Sequence, residues 1–307
     1  MQTLKKLLVT MDFTRMDEIE VNYTAFLCSI LPIEKIYFVY VRRKQNISQE
    51  VLQSLKLTEE PAPHPEALQE MQNLVQHYFG DNKKVQTEVL VKDGDPLKEL
   101  LKISKLYDVD LIVTGRKLRL RGSGILSHNL VHTGGISVLL IPETAETVLQ
   151  HVVVSIDFSE YSKMTLTYVQ QLASLRPNLQ VTCLHVYEVP TGYITLGISY
   201  DEFEARTRHF AEEKFYKLMA EFPELQAITS LSLVRKDLQD DTGEVVVLEA
   251  NRARADLLVV GARGIYGATL LLMGSVTEKV IRANDDIPLL IIKKKNEHLS
   301  FLDALIG

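Results

Sequence analysis

The sequence predicts an α/β protein built from two tandem domains, each a doubly wound parallel sheet, and three observations carry that prediction. The chain has 307 residues, more than one hydrophobic core usually holds, so two units of about 150 residues each are expected. Its strand candidates are short, continuous, β-branched apolar runs, the pattern of parallel strands covered on both faces. The chain also repeats itself. "LLVTMDFT" (Leu7 to Thr14) returns as "VVVSIDFS" (Val152 to Ser159), "FVYV" (Phe38 to Val41) as "CLHV" (Cys183 to Val186), "DVDLIVTG" (Asp108 to Gly115) as "RADLLVVG" (Arg254 to Gly261), and "ISVLLI" (Ile136 to Ile141) as "IPLLII" (Ile287 to Ile292). Partners stay near 145 to 150 residues apart, which implies a duplicated unit. The domains are therefore placed at 1–145 and 146–307, joined by "PETAETVLQ" (Pro142 to Gln150).

Between the strands lie amphipathic segments. In "DPLKELLKISKLYD", Leu97, Leu100, Leu101, Ile103 and Leu106 approximate one helical stripe behind a proline suited to a first turn. In "YDEFEARTRHFAEEKFYKLMAEF", Phe203, Phe210, Lys214 and Leu218 make a stripe broken by the lysine. Strand and helix in alternation imply right-handed crossovers and a parallel sheet. Ligands of such sheets bind beyond the carboxyl ends of the strands, near the switch in strand order.

Composition narrows the function. Hydrophobic residues are 46% of the chain and charged residues 24%, enough apolar surface for packed cores rather than disorder. A formal net charge of -6 argues against general nucleic-acid binding, which needs clustered Lys and Arg. Two cysteines, Cys28 and Cys183, make neither a disulfide framework nor a metal set. No run reaches the roughly 20 apolar residues of a membrane span, and the first apolar run is too short for a signal peptide. The expectation is a cytoplasmic protein that engages neither membrane nor nucleic acid.

The stretch "VVGARGIYGATLLLMGSV" (Val259 to Val276) carries the chemistry. "DLLVV" reads as a strand ending at Gly261, and "SVTEKVIRAN" as a helix that Ser275 would cap, with Glu278 completing a capping box. Gly261, Gly264 and Gly274 then lie between a strand's carboxyl end and a helix's amino end. Free N–H groups and the helix dipole favour an anion there, a phosphate above all. The spacing G-x2-G-x9-G-S is neither a Walker loop nor the dinucleotide fingerprint.

With "DFS" at Asp157 to Ser159, "LHV" at Leu184 to Val186, "DLLVVG" at Asp256 to Gly261 and "GSVTEKV" at Gly274 to Val280, the chain resembles the nucleotide-binding subgroup of the universal stress protein family, over both halves. That resemblance implies a Rossmann-like, adenine nucleotide alpha hydrolase-like fold in each half. It also implies that Asp157 contacts the nucleoside, that the Val186 backbone meets the adenine, and that Gly261, Gly264 and Gly274 let the chain approach the phosphates. Ser275, Val276 and Thr277 would supply N–H groups and hydroxyls around them. ATP, alone or with Mg²⁺, is the implied ligand, and no other metal site is expected.

The first copy departs from this pattern. Gly115 matches Gly261, but Leu118 stands at the second glycine, the loop to Gly124 is shorter by about four residues, and Ile125 replaces the serine. Asp12 and Val41 remain. The second copy is therefore expected to bind ATP, and the first to bind weakly or not at all.

Plainer readings stand beside these. Asp157 can cap the helix that follows it. "RKLRLRGSG" (Arg116 to Gly124) reads as a solvated charge run, His128 and His132 as a pair without further metal ligands, and His185 as a core histidine with its polar atoms satisfied. The apolar face of "LSFLDALIG" (Leu299 to Gly307) would pack on its own or a neighbouring chain. No acidic pair beside Arg263 suggests phosphoryl-transfer chemistry, so a regulatory nucleotide-binding protein is the leading class. A slow ATPase or phosphotransferase, and a nucleotide-free assembly module, are the alternatives. The final strands "SVLLI" and "PLLII" would sit at sheet edges, which invite pairing, and the family resemblance implies that they pair with each other as an intramolecular pseudo-dimer. A protein partner and further self-association are left open.

Overall fold

A computed structural model describes residues 4–43, 54, 65–80, 84–117, 125–133, 135–263 and 273–295. The chain forms two compact units, residues 1–136 with 295–307, and residues 137–294. In the first, strands β1 (Lys6–Met11), β2 (Lys35–Arg42), β3 (Gln86–Asp93) and β4 (Leu111–Arg116) run parallel in the order β3-β2-β1-β4. Helices α1 (Arg15–Ile30), α2 (Pro65–Phe79), α3 (Pro96–Leu106) and α4 (Ile125–His132) connect or follow them.

The second unit repeats the plan with β6 (His151–Ser155), β7 (Gln180–Glu188), β8 (Thr229–Lys236), β9 (Leu257–Gly261) and β10 (Leu289–Ile292) in the order β10-β9-β6-β7-β8, all parallel. Its helices are α5 (Glu160–Leu175), α6 (Tyr200–Met219), α7 (Thr242–Arg252) and α8 (Ser275–Ala283). One more strand completes this unit. β5 (Ser137–Pro142) belongs to the first repeat in sequence, yet it pairs antiparallel with β10, Leu140 opposite Leu289 and Val138 opposite Ile291. The Ser137 hydroxyl accepts the Lys293 N–H at 3.1 Å beside that pairing. The division into packed units thus falls before β5, and the division of the repeated sequence falls after it.

Burial explains why these runs are strands. In β1 every residue after Lys6 is buried, and β5 and β10 are buried throughout. Such strands cannot alternate polar and apolar residues, because helices cover both faces. On α3, Leu100, Leu101 and Ile103 pack against Tyr37, Val39 and Ile112 of the sheet. Leu106, assigned to the same stripe from its spacing, is 73% exposed because it falls at the helix end, past the sheet. On α6 the buried face is Ala211, Phe215, Leu218 and Met219. Phe210 is largely exposed, so the stripe drawn through it is displaced by one position from the real one.

The duplication extends to fine geometry. Phe13 and Phe158 both take positive φ, 61° and 65°, immediately after the aspartates that follow β1 and β6. Asp108 and Arg254 do the same at 54° and 52° where α3 and α7 give way to strands, the left-handed turn that commonly ends a helix. Asp95 and Asp241 cap α3 and α7 through backbone N–H groups at 3.0 and 2.9 Å. The Asp110 carboxylate accepts the N–H groups of Lys5 and Lys6, and Asp256 those of Gln150 and His151, at 2.7 to 3.0 Å. Each carboxylate fastens the start of its unit's central strand. Replacing Asp256 by Ala strands both donors, and the expected loss is about 1.5–3 kcal/mol, measured by urea unfolding of the full chain.

Cys28 and Cys183 are unpaired, and burial pushes both thiols up to about 12, which makes them inert packing residues. Among the described residues no helix is long and apolar enough to cross a membrane.

Candidate functional site

The strand orders put the switch point of each sheet between its first and fourth strands, β1 and β4 in one unit and β6 and β9 in the other. Asp157 follows β6, Val186 lies near the end of β7, and Gly261 ends β9. Since the three strands are parallel neighbours, all three residues stand at the same end of the second sheet, with α8 starting beyond β9. Gly264 lies outside the described residues.

Asp157 is held by its own turn. Its Oδ1 accepts the Ser159 N–H at 3.0 Å and the Ser162 hydroxyl at 2.8 Å, and its N–H donates to Ser162 Oγ at 2.9 Å. Ser159 is the N-cap of α5, but its side chain makes no capping bond. Its hydroxyl is buried and meets no partner among the described residues. An unsatisfied hydroxyl at a helix start beside a carboxylate calls for an explanation, and a bound polar ligand supplies one.

The family resemblance implies that Gly261 lets the chain approach phosphate, and the fold has its own need for a glycine there. A Cβ there would sit 2.7 Å from Tyr161 Cβ on α5 and 3.2 Å from the Arg263 carbonyl. Gly115 is constrained in the same way by Met16 and Glu20 of α1.

The start of α8 differs from the expectation. Gly274, with φ -79° and ψ 150°, is the N-cap, and its carbonyl accepts the Glu278 N–H at 3.0 Å. Ser275 is the first helical residue instead of the cap. The backbone leaves the extended region one residue earlier than the capping-box pattern suggests, because glycine is itself an acceptable cap. Ser275 and Val276 are exposed, whereas Thr277 is buried and its hydroxyl donates to the Gly261 carbonyl at 2.7 Å. Ser127 makes the same bond to Gly115 at 2.6 Å in the first unit. Thr277 therefore ties α8 to β9, and the side presented outward consists of Ser275, Val276 and the N–H groups of the first turn, which have no carbonyl within the helix.

His185 also belongs here. Its Nδ1 lies 2.9 Å from the Ile156 carbonyl and its ring 4.6 Å from that of Phe158, over which Lys214 Nζ sits at 6.0 Å. Burial holds its pKa below the ordinary histidine value. The alternation of a β-strand hid this proximity, since His185 reads as one more residue of an apolar run.

In the first unit a cavity of about 270 Å³ opens at the ends of β1 and β2, walled by Val39, Val41, Pro96, Leu100 and Leu126 with Asp12 at its edge. Asp12 is ion-paired with Lys117 and accepts the Thr14 hydroxyl at 2.7 Å. Lys117 thus neutralises the carboxylate that corresponds to Asp157. Leu118 and Gly124, which distinguish this copy in sequence, lie outside the described residues, as does most of the basic run. His128 and His132 lie side by side on α4, their rings tilted by 34° with centres 4.2 Å apart.

A doubly wound sheet repeated twice, with an aspartate after the first strand and a glycine within the last two residues of the fourth in each copy, defines the class. The Universal stress protein family model matches residues 3–142 and 149–293, and the chain belongs to that family. It is 25% identical over 163 residues to the universal stress protein MJ0577 of Methanocaldococcus jannaschii, 46% of this chain and 92% of that protein. It is 43% identical over 56 residues to the stress response protein NhaX of Bacillus subtilis, 18% of this chain and 33% of that protein. A universal stress protein from Archaeoglobus fulgidus superposes with a TM-score of 0.62 at 17% identity, covering 96% of this chain and 98% of that one. A functionally unknown protein from Pseudomonas aeruginosa superposes at 0.66 and 15% identity, covering 99% and 98%.

Proposed function

We propose that the second repeat, within residues 146–307, binds an adenine nucleotide, ATP first among them, and that the protein acts as a nucleotide-dependent regulatory binder. The observation that carries this reading is the convergence of Asp157, Val186 and Gly261 with the amino end of α8 at one end of the second sheet. In this reading Asp157 would accept hydrogen bonds from the ribose hydroxyls. The Val186 backbone, at the next strand end, offers an edge for a base. Ser275, Val276 and the first-turn N–H groups of α8 would offer donors for phosphate oxygens, where the helix dipole adds its attraction. The Ser159 hydroxyl, buried without a partner among the described residues, supports a polar ligand near Asp157. Mg²⁺ enters this reading only as a counter-ion carried on the phosphates.

Regulation then follows from differential affinity. A nucleotide that binds one arrangement of the connection between β9 and α8 more tightly shifts the population toward it, and a protein partner that reads that surface senses the nucleotide. Pairing of β5 with β10 occurs within one chain, which favours the pseudo-dimeric reading of a tandem protein over one that needs a second copy for this contact.

Mass spectrometry of small molecules released from freshly purified protein tests the reading. Adenine nucleotide is expected from wild type and from the Asp12→Ala variant, and its loss from Asp157→Ala. Release of equal amounts from both variants contradicts the assignment. The full chain is the right object, because cutting at residue 145 would separate β5 from β10.

A further inference from the structure

Helix α1 buries two acids on successive turns. Asp17 is 5% exposed and Glu20 3%. The charge that reaches Asp17 from another element is that of Glu70 on α2, also negative, and the charge that reaches Glu20 is that of Asp17 itself. Two like charges removed from water, with a third of the same sign beside them, cannot both stay ionised at little cost.

The surroundings show how a proton is accommodated. Asp17 Oδ1 accepts the Asp12 N–H at 2.9 Å and Oδ2 the Phe13 N–H at 2.8 Å. Two such bonds favour the ionised form of Asp17. Glu20 sits beneath a chain of hydroxyls that cross the end of the sheet. Thr10 Oγ1 is 3.4 Å from Glu20 Oε2 and 2.9 Å from Thr114 Oγ1. Thr114 Oγ1 lies 3.2 Å from Ser127 Oγ, which donates to the Gly115 carbonyl at 2.6 Å. The Thr10 hydroxyl donates to Glu20 and favours its ionised form, but burial and the neighbouring Asp17 charge favour the proton and outweigh that bond. The Gly115 N–H returns to Glu20 and closes the ring.

We infer that Asp17 and Glu20 form a proton-binding site of the first repeat, whose occupancy sets how firmly the Asp12–Phe13 turn, and with it the edge of the first cavity, is held. Glu20 keeps its proton while Asp17 exchanges one. When Asp17 is ionised it grips both N–H groups of the turn. When it takes a proton, the oxygen that carries it no longer accepts, and the turn loses a tether. Asp12 lines the cavity, so the tether reaches whatever that cavity receives. This holds whether or not the second repeat binds nucleotide.

Burial pushes the Asp17 pKa up to about 7 and that of Glu20 well above the carboxylate range. Because the two charges repel, the pair loses its protons in two separate steps. Carboxyls raised in this way contribute stability that is complete below their unfolded values of 3.8 and 4.5 and is lost as pH rises through their folded values. Lys293, buried and pulled down to about 7, works in the opposite direction and adds stability as pH rises. The pair must therefore be read as a difference between variants.

The second repeat supplies the control. Ser162 and Thr165 stand where Asp17 and Glu20 do. Ser162 ties the corresponding turn with a neutral hydroxyl, and Thr165 bonds the Ser162 carbonyl at 2.8 Å. The test is thermal unfolding of the full chain from pH 5 to pH 9, wild type against the double variant Asp17→Ser with Glu20→Thr. Wild type is expected to lose about 5–10 °C relative to the variant across that range, centred near neutrality. A difference independent of pH overturns the inference. Should the double variant fail to fold, amide exchange at Asp12 and Phe13 in wild type, corrected for intrinsic rates, gives the second readout. Protection rising in a step near pH 7 supports the site, and constant protection overturns it.

Discussion

Replacing Gly261 by valine is expected to remove nucleotide binding from the second repeat, a loss of tenfold or more, and to cost about 1–3 kcal/mol of stability. The reason is local and steric. The first carbon of the new side chain would lie 2.7 Å from Tyr161 Cβ, and neither neighbour is the free end of a flexible chain. Either α5 retreats from the sheet or the end of β9 shifts. A shift of β9 carries α8 with it, because Thr277 is hydrogen-bonded to the Gly261 carbonyl and Gly274 N–H to that of Ala262 at 2.8 Å. The α8 amides then lose their register with Asp157. Gly115→Val makes the matching overlap with Met16 and Glu20 in the first unit. It is expected to destabilise the protein comparably and leave nucleotide affinity in place, so the pair of variants separates folding from binding.

The second large effect concerns the core. Phe38, in the middle of β2, is fully buried and meets Phe79 edge to face with ring centres 5.6 Å apart. Truncation to alanine removes most of a large apolar side chain and leaves a cavity that the sheet cannot collapse to fill. The expected cost is about 3–5 kcal/mol, a large part of the stability of an ordinary domain. Urea unfolding should show the midpoint fall. Nucleotide affinity at the second repeat, measured below the unfolding transition, should not change.

Much of this architecture was legible in the sequence because duplication wrote it twice. The aspartate and phenylalanine after β1 and β6 mark the same positive-φ turn in both copies, and continuous apolar runs marked every central strand. What was not legible follows from physical ambiguities. Spacing alone places Leu106 and Phe210 on a helix but does not say where the helix leaves the sheet. Gly274 and Ser275 are both acceptable caps, and only the backbone torsions decide between them. The pairing of Ser137 to Pro142 with the last strand is expected from the family resemblance and is what the structure shows, but nothing in an apolar pattern gives its antiparallel direction.

Polar contacts of the site were the least visible. Asp17 and Glu20 on α1 are buried, and acidic side chains are rarely buried, so no composition or spacing argument singles them out. Lys117 reads as part of a surface charge run, yet it pairs with Asp12. Ser162 holds Asp157 from five residues away, a link that a pattern of strands and helices does not contain.

Isothermal titration of the full chain with ATP tests the central claim most directly. One molecule is expected to bind per chain, with affinity lost in Asp157→Ala and kept in Asp12→Ala. Absence of binding at millimolar ATP, or binding that survives Asp157→Ala and disappears with Asp12→Ala, would contradict the account.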